Sequence, residues 1–390
     1  MKEPTRILNI VTVDMSCIFF RGALAFLNKS GFETALCSSP GKRLHEVATA
    51  ENAKAFEVSM QREISPLRDL VSLWKLYRLI RSYRPTIVNA STPKAGLLGM
   101  LAARLAGVPV RVYLLRGLRL ETARGAKRFV LGITERLASA CASVVVCECG
   151  SLRKTYVDRG LVRPEKAIVL GEGSCNGFDT DRFRVDASQK KQSQELRSQL
   201  GIPTDEPVIG FIGRLTRDKG IAELGQAFER TLAVFPNAWL LLVGEYESGD
   251  AVREEIIEKL ESCPRVIKIG FVNEPKPYYA LMDVLAFPTH REGFGAVAAE
   301  ASAMETPVVG FRVTGVVDAV QDGVTGTLVP TGDAEAFATA LMNYLGDPQL
   351  RSAHGKAGRE RMLKCFRPET VWQSWRELYL QLAKEQGVAP

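Results

Sequence analysis

The sequence predicts an α/β fold of two doubly wound, Rossmann-like domains that face a cleft. Three observations carry this. At 390 residues the chain exceeds what one hydrophobic core ordinarily serves. Short apolar strands alternate with amphipathic helices along most of its length, the pattern of parallel sheets covered on both faces by right-handed crossovers. The alternation also stops at one polar stretch and then restarts, as it does between two domains.

In chain order, RILNIVTV (6–13) reads as a strand, SCIFFRGALAFLNKSG (16–31) as a helix ended by Gly31, and FETALCSS (32–39) as the next strand. Apolar positions at helical spacing mark DLVSLWKLYRLIRSY (69–83), followed by the strand TIVNAS (86–91) and the helix AGLLGMLAARLAG (95–107). VRVYLL (110–115) and SVVVCEC (143–149) complete the first set of strands. The stretch DASQKKQSQELRSQLGIPTDEP (186–207) is polar, ends in turn residues and reads as the boundary. Beyond it, PVIGFIG (207–213), AWLLLVG (238–244), VIKIGFV (266–272), VLAFPT (284–289) and TPVVGF (306–311) read as strands of a second sheet. TVWQSWRELYLQLAKEQ (370–386) is an amphipathic helix whose Trp372 and Trp375 are expected in a core. The domains are therefore set at 1–184 and 185–369, with ligands expected at the carboxyl ends of strands, in the cleft.

Composition narrows the classes. The chain is 46% apolar and 24% charged, no apolar run is long enough to cross a bilayer, and its start lacks the order of a signal peptide, so a cytoplasmic protein is expected. Eight scattered cysteines without a CxxC pair, and three histidines, predict neither disulfides nor zinc. Residues 1–184 hold 29 Lys+Arg against 16 Asp+Glu, and residues 185–390 hold 22 against 28. The basic first half points to an anionic partner. Aromatics are not interleaved with its cations as base stacking requires, so an anionic membrane surface is expected and nucleic acid is not. The stretch GLRLETARGAKRF (117–129), with Arg116, Arg119, Arg124, Lys127 and Arg128 in and beside it, mixes cations with apolar residues as an interfacial segment does.

Chemistry gathers at the strand ends of the second half. After PVIGFIG, the turn at Gly213 presents Arg214 and Lys219, a planar fork and a compact charge suited to a diphosphate. In HREGFGAVAAE (290–300), Gly293 and Gly295 let backbone N–H groups approach a ligand, and a helix from near Ala296 directs its positive end to the same place. Glu292 and Glu300, as acceptors, suit two vicinal diols. Eight helical residues between them would rise about 12 Å. His290 reads equally as a phosphate partner or a strand cap.

GRLTRDKG, Gly244 in LLLVGE, Gly270 and Phe271 in IGFV, EGFGAVAAE with its E-x7-E spacing, Asn176-Gly177-Phe178-Asp179 with Phe183, and STPKAGLLGMLAARLAG (91–107) occur in order along nearly the whole chain. Together they resemble the retaining GT-B glycosyltransferases of the GT4-like family, which includes bacterial capsule, O-antigen and exopolysaccharide enzymes.

The resemblance implies transfer of a sugar with net retention from a nucleotide diphosphate sugar, with UDP expected, to a glycan or polyprenyl-diphosphate-linked acceptor. No cofactor and no metal ion are implied. Arg214 and Lys219 would neutralise the leaving diphosphate, and Glu292 would contact the transferred sugar. Glu300 would hold the ribose, the Phe294 and Gly295 amides with Gly213 the diphosphate or sugar, and the backbone at Phe271 and Val272 the base. Glu245 and His290 would line the pocket. The final helix, 370–390, would pack back on the first domain, and the enzyme would sit peripherally at the inner face of the membrane. Where many relatives have histidine this chain has Leu114-Leu115-Arg116-Gly117, which leaves Arg116 and Lys94 as candidates for a phosphate of donor or acceptor. A GT-B-fold nucleotide-sugar epimerase and a non-catalytic binder of anionic lipid or nucleic acid are the alternatives.

Overall fold

The computed structural model describes residues 4–63 and 65–387. They form two compact units, one of residues 4–177 with 368–387, the other of residues 178–367. In the first unit, strands β1 (Thr5–Ile10), β2 (Phe32–Ser38), β3 (Lys54–Glu57), β4 (Ile87–Ser91), β5 (Val110–Leu115), β6 (Val144–Cys147) and β7 (Ala167–Val169) pair in parallel. Their order is β3-β2-β1-β4-β5-β6-β7. Helices α1 (Ala23–Lys29), α2 (Lys42–Ala50), α3 (Pro66–Tyr83), α4 (Pro93–Leu105), α5 (Gly125–Cys141) and α6 (Gly150–Asp158) lie in the connections. Cover on both faces is why β4, β5 and β6 are almost wholly buried and read as continuous apolar runs.

The helix expected over 16–31 is two elements. A 3₁₀ segment, Asp14–Phe20, precedes α1, and Gly22 between them sits at φ +77°. The Trp372 ring occupies the space where a Cβ on Gly22 would fall. The break therefore accommodates a residue 350 positions away, which local periodicity does not register.

The second unit has strands β8 (Val208–Ile212), β9 (Trp239–Val243), β10 (Val266–Lys268), β11 (Val284–Phe287), β12 (Val308–Phe311) and β13 (Gly326–Val329), all parallel, in the order β10-β9-β8-β11-β12-β13. Its helices are α7 (Ala187–Gln199), α8 (Ile221–Val234), α9 (Glu254–Glu261), α10 (Lys276–Leu281), α11 (Ala296–Ala303), α12 (Val316–Ala319), α13 (Ala334–Gly346) and α14 (Pro348–Cys365). β10 is shorter than the expected 266–272 because Gly270 turns at φ +83°.

The polar stretch at 186–207 is not a bare linker. The Asp186 carboxylate caps α7 by accepting from the Gln189 N–H at 3.0 Å, and α7 packs on α10. The chain passes between units at 177/178, earlier than the 184/185 boundary read from sequence. Residues 178–184 are held in the second unit by aromatic packing: Phe178 stacks on Phe294 at 5.6 Å and Phe183 meets the edge of Tyr279 at 6.2 Å. Arg359 also donates to the Thr180 and Phe183 carbonyls.

The last helix, α15 (Pro368–Glu385), returns to the first unit. Val371, Trp375, Leu378 and Tyr379 join Ile7, Ile87, Val112 and Val146 in one core. The Trp375 indole N–H donates to the Cys175 carbonyl at 2.9 Å, and Asn89 donates to the Tyr379 hydroxyl at 2.8 Å. Trp372 donates to the Asn176 side chain at 2.8 Å. Trp375→Ala is expected to remove about 3–5 kcal/mol of stability. Urea unfolding followed by circular dichroism checks this, and a loss below about 1 kcal/mol would show that α15 is dispensable to this core.

Candidate functional site

In the second sheet, strand order reverses between β8 and β11, which pair with Val284 opposite Ile209 and Leu285 opposite Gly210. A crevice at the carboxyl end of such a reversal is where open α/β sheets bind ligands. The two loops emerging there, 213–220 and 288–295, are the ones that sequence chemistry singled out.

Glycines let the backbone close up. Gly213 donates to the Val243 carbonyl at 2.9 Å, and a Cβ on Gly244 would stand 1.8 Å from the Gly213 oxygen. Gly220, at φ +72°, lies so near the Pro288 carbonyl that a Cβ would come within 1.9 Å of its oxygen. These approaches bind one loop to the other. The Asp218 carbonyl then accepts from the His290 N–H at 2.8 Å and from the Thr289 hydroxyl at 3.3 Å.

Side chains follow the backbone. Lys219 ion-pairs with Glu292, both largely buried at 18% and 16% exposure, and its ammonium stands 5.9 Å from the Phe287 ring centre. Arg214 is half exposed and reaches Glu247 at 2.8 Å. The His290 Nε2 lies 2.9 Å from a Glu223 carboxylate oxygen on α8, a bond that raises the imidazole above its ordinary 6.5. Two buried polar atoms in these loops, the Thr216 hydroxyl and the Arg291 Nε, have no hydrogen-bond partner.

Glu292 lies outside the helix. α11 begins at Ala296 with Gly295 at φ +90° before it, so only Ala296 to Glu300 climb helically and the 12 Å rise is corrected to a loop followed by about one turn. No side chain caps α11, which leaves its first N–H groups free to face an anion. Glu300 is partly buried and accepts from the Tyr279 hydroxyl at 2.9 Å; desolvation pushes its carboxyl up to about 7. The Phe294 ring is core, stacked on Phe178 and edge-on to Phe366 at 5.0 Å, which leaves its amide for a ligand. Phe271 is 70% exposed just past β10, next to Val272, and Glu245 is exposed past β9 with a carboxylate oxygen 3.9 Å from where a Cβ on Gly270 would lie.

The first-unit candidates fare differently. Lys94 is committed inside the fold, donating to the Glu63 carbonyl and pairing with Asp69 at 2.6 Å, so its assignment to a phosphate is withdrawn. Arg116, past β5, is 13% exposed, lies 3.6 Å from Glu148 and stacks 4.4 Å from the Phe19 ring centre, with its Nε buried and unpartnered. Glu223, Tyr279 and Arg291 were missed. Their partners lie 21 to 73 residues away in sequence, and nothing local distinguishes them from helix-surface residues.

The comparisons with known proteins agree in both units. Residues 192–361 match the family model "Glycosyl transferases group 1", and residues 20–173 match "Glycosyl transferase 4-like domain". The chain is 38% identical over 380 residues to the capsular polysaccharide biosynthesis glycosyltransferase CapM of Staphylococcus aureus, covering 97% of this chain and 98% of that one. It is 24% identical over 336 residues to an Escherichia coli UDP-Gal:α-D-GlcNAc-diphosphoundecaprenol α-1,3-galactosyltransferase, covering 85% of each. In fold it is similar to Anabaena HepE in complex with UDP, with a TM-score of 0.78 at 22% identity, covering 96% of this chain and 99% of that one.

With three histidines in the chain, nuclear magnetic resonance titration resolves each ring. His290 is expected to titrate above 6.5 and to fall toward it in Glu223→Gln. The raised value means the pair's stabilisation is full below about pH 6.5 and fades as pH climbs past the folded value. An unchanged His290 titration in Glu223→Gln would show that the carboxylate does not set it.

Proposed function

We infer the reaction from membership: this chain belongs to the glycosyltransferases of capsule and surface-polysaccharide synthesis. It moves a sugar from a nucleotide diphosphate sugar, with UDP as the nucleotide, to a polyprenyl-diphosphate-linked or glycan acceptor, with net retention. The observation that carries this reading is the convergence of the two loops at the β8/β11 reversal. There a half-buried lysine and an arginine flank an uncapped helix start. The diphosphoundecaprenol substrate named for the Escherichia coli relative supports the lipid-linked acceptor, and the UDP bound to Anabaena HepE supports the base.

Lys219 and Arg214 neutralise the charge growing on the leaving diphosphate, the first from a largely buried position and the second from the half-exposed rim. The α11 amides from Phe294 and Gly295 onward add fixed donors at no cost in reorganisation. Glu292 holds Lys219 in place and meets the transferred sugar's hydroxyls, and Glu300 holds the ribose diol. Val272 and the exposed Phe271 flank the base. The raised His290 supplies a further donor to phosphate. The departing phosphate oxygen takes the proton of the acceptor hydroxyl on the same face of the sugar, which gives retention without a separate base. The two cations supply the positive charge that a divalent ion supplies in other transferases, so no ion has an assigned role. Arg116 is kept for a phosphate of the acceptor. The enzyme works at the membrane that carries its acceptor, held there by the basic first unit.

Arg214→Ala and Lys219→Ala are each expected to cost roughly 2 to 4 kcal/mol of transition-state stabilisation with the fold intact. Turnover measured with the donor, with and without EDTA, checks both; near-normal rates in both variants, or a strict need for a divalent ion, would overturn the charge assignment. Glu300→Ala is expected to weaken UDP and UDP-sugar alike, whereas Glu292→Ala spares UDP and damages transfer. Identical binding profiles in calorimetry would refute that division. A diol is best accepted by the Glu300 carboxylate, so UDP affinity in the wild type is expected to rise with pH up to about pH 7 and level above it. A Glu300→Gln variant showing the same slope would remove Glu300 from the ribose site.

A further inference from the structure

Helix α5 borders a groove of about 410 Å³ lined by none of the candidate donor or acceptor residues described above. Arg128, Arg136 and Arg159 line it with Leu120, Phe129 and Leu161, and no carboxylate is among its walls. Among the described residues none of the three guanidiniums stands in an ion pair, although Arg136 also donates from Nε to the Gly160 carbonyl at 3.2 Å. Three unpaired planar forks around one concavity are an arrangement for phosphate oxygens. The size suits a small-molecule group rather than a water.

The surroundings are as telling as the arginines. Phe129, Val130, Ile133 and Leu137 form one row along α5 and are 69%, 40%, 47% and 41% exposed. In GLRLETARGAKRF, Leu118 and Leu120 are buried, whereas Arg119, Arg124, Lys127, Arg128 and Phe129 are exposed, the last three on the first turn of α5. The apolar partner of these cations is the outer face of α5. Helix α3, which packs on α4 as α5 does, exposes a second row, Leu67, Leu70, Val71 and Trp74, at helical spacing. Arg68, Lys75 and Arg78 stand beside it, the last with its guanidinium 4.9 Å from the Trp74 ring centre. Exposed apolar rows edged by cations match a surface that is hydrocarbon within and anionic at its boundary.

We propose that the α5 groove binds the phosphate of an anionic membrane lipid, whose acyl chains lie along the apolar row of α5 while α3 enters the same interface. This rests on the proposed transferase reading for its purpose, since it brings the enzyme to a lipid-linked acceptor. Its chemistry rests on the groove alone.

Sedimentation of the full chain with phosphatidylcholine vesicles, with and without phosphatidylglycerol, tests it. The wild type is expected to bind the phosphatidylglycerol vesicles and to be released as salt rises. Arg128→Ala with Arg159→Ala is expected to weaken binding on the order of thirtyfold, about fivefold per charge. Lys190→Ala with Lys191→Ala, which removes the same charge from α7, is expected to change it less than twofold. Phe129→Ser with Ile133→Ser is expected to weaken binding at every salt concentration. Equal losses in the two charge pairs would reduce the effect to net charge and overturn the groove. Displacement of the vesicles by inorganic phosphate beyond that caused by chloride at the same ionic strength would assign the groove to free phosphate and overturn the lipid. Transfer to a water-soluble acceptor and UDP binding are expected to be unchanged in the arginine pair. Loss of that transfer with vesicle binding intact would place the groove in the acceptor site instead. Failure of UDP binding in the wild type would sink the transferase reading while leaving the vesicle result standing.

Discussion

The pairing of β8 with β11 is the constraint on which the candidate site depends. These strands lie about 75 residues apart in the chain, yet they are neighbours in the sheet, with β9 continuing on one side and β12 on the other. Because the chain departs in opposite directions from the two, their carboxyl ends share a gap that no crossover fills. Everything important in the site spans that gap. Lys219 reaches Glu292, the Asp218 carbonyl takes the His290 N–H, and Gly220 closes on Pro288. A one-residue slip between these two strands would separate each of these pairs and turn the strands' inward faces outward.

Electrostatics then explains why the site holds carboxylates at all. A largely buried ammonium without a partner is costly, and Glu292 offsets that cost. Arg214 is similarly occupied by Glu247, though with more water around it, where such a pair contributes little. His290 and Glu223 form a third pairing in the same neighbourhood. The site is thus built of cations each paired with a carboxylate, beside an α11 start that no side chain caps. Glu300 stands apart, because desolvation raises its carboxyl while the Tyr279 hydroxyl partly offsets that rise.

Strand positions were legible because a parallel sheet demands apolar runs. VRVYLL coincides with β5, and Gly213, Gly244 and Pro288 stand one residue past the ends of β8, β9 and β11. The errors have physical causes. VIKIGFV is apolar at five of its seven positions, yet pairing ends at Lys268, before Gly270 takes a conformation that leaves the ladder. The segment 16–31 has helical periodicity, yet a tryptophan from the far end of the chain divides it. Residue types in the site were readable, since Arg, Lys, Glu and Gly near a strand end have few uses in combination. Their partners were not: Lys94 looks like a phosphate ligand until Asp69 and Glu63 are seen around it. Glu300 looks like an ordinary carboxylate until Tyr279 and its burial are known.

The course of the chain through its two units has a consequence for biosynthesis. The Phe178 N–H donates to the Phe366 carbonyl at 2.8 Å, so the second unit leaves the first and is returned to it at one place, like an insertion. Domains fold as units during synthesis, amino-terminal parts first. Here that order is reversed at the end. The second unit is complete when residue 367 emerges, whereas the first sheet still lacks Val371, Trp375, Leu378 and Tyr379 from its core. The amino-terminal unit therefore waits, with Ile7, Ile87 and Val112 uncovered, until the final helix leaves the ribosome. During that interval the nascent chain carries an apolar sheet face for chaperones to shield, and any early stop between residues 367 and 379 would leave a finished second unit attached to an unfinished partner.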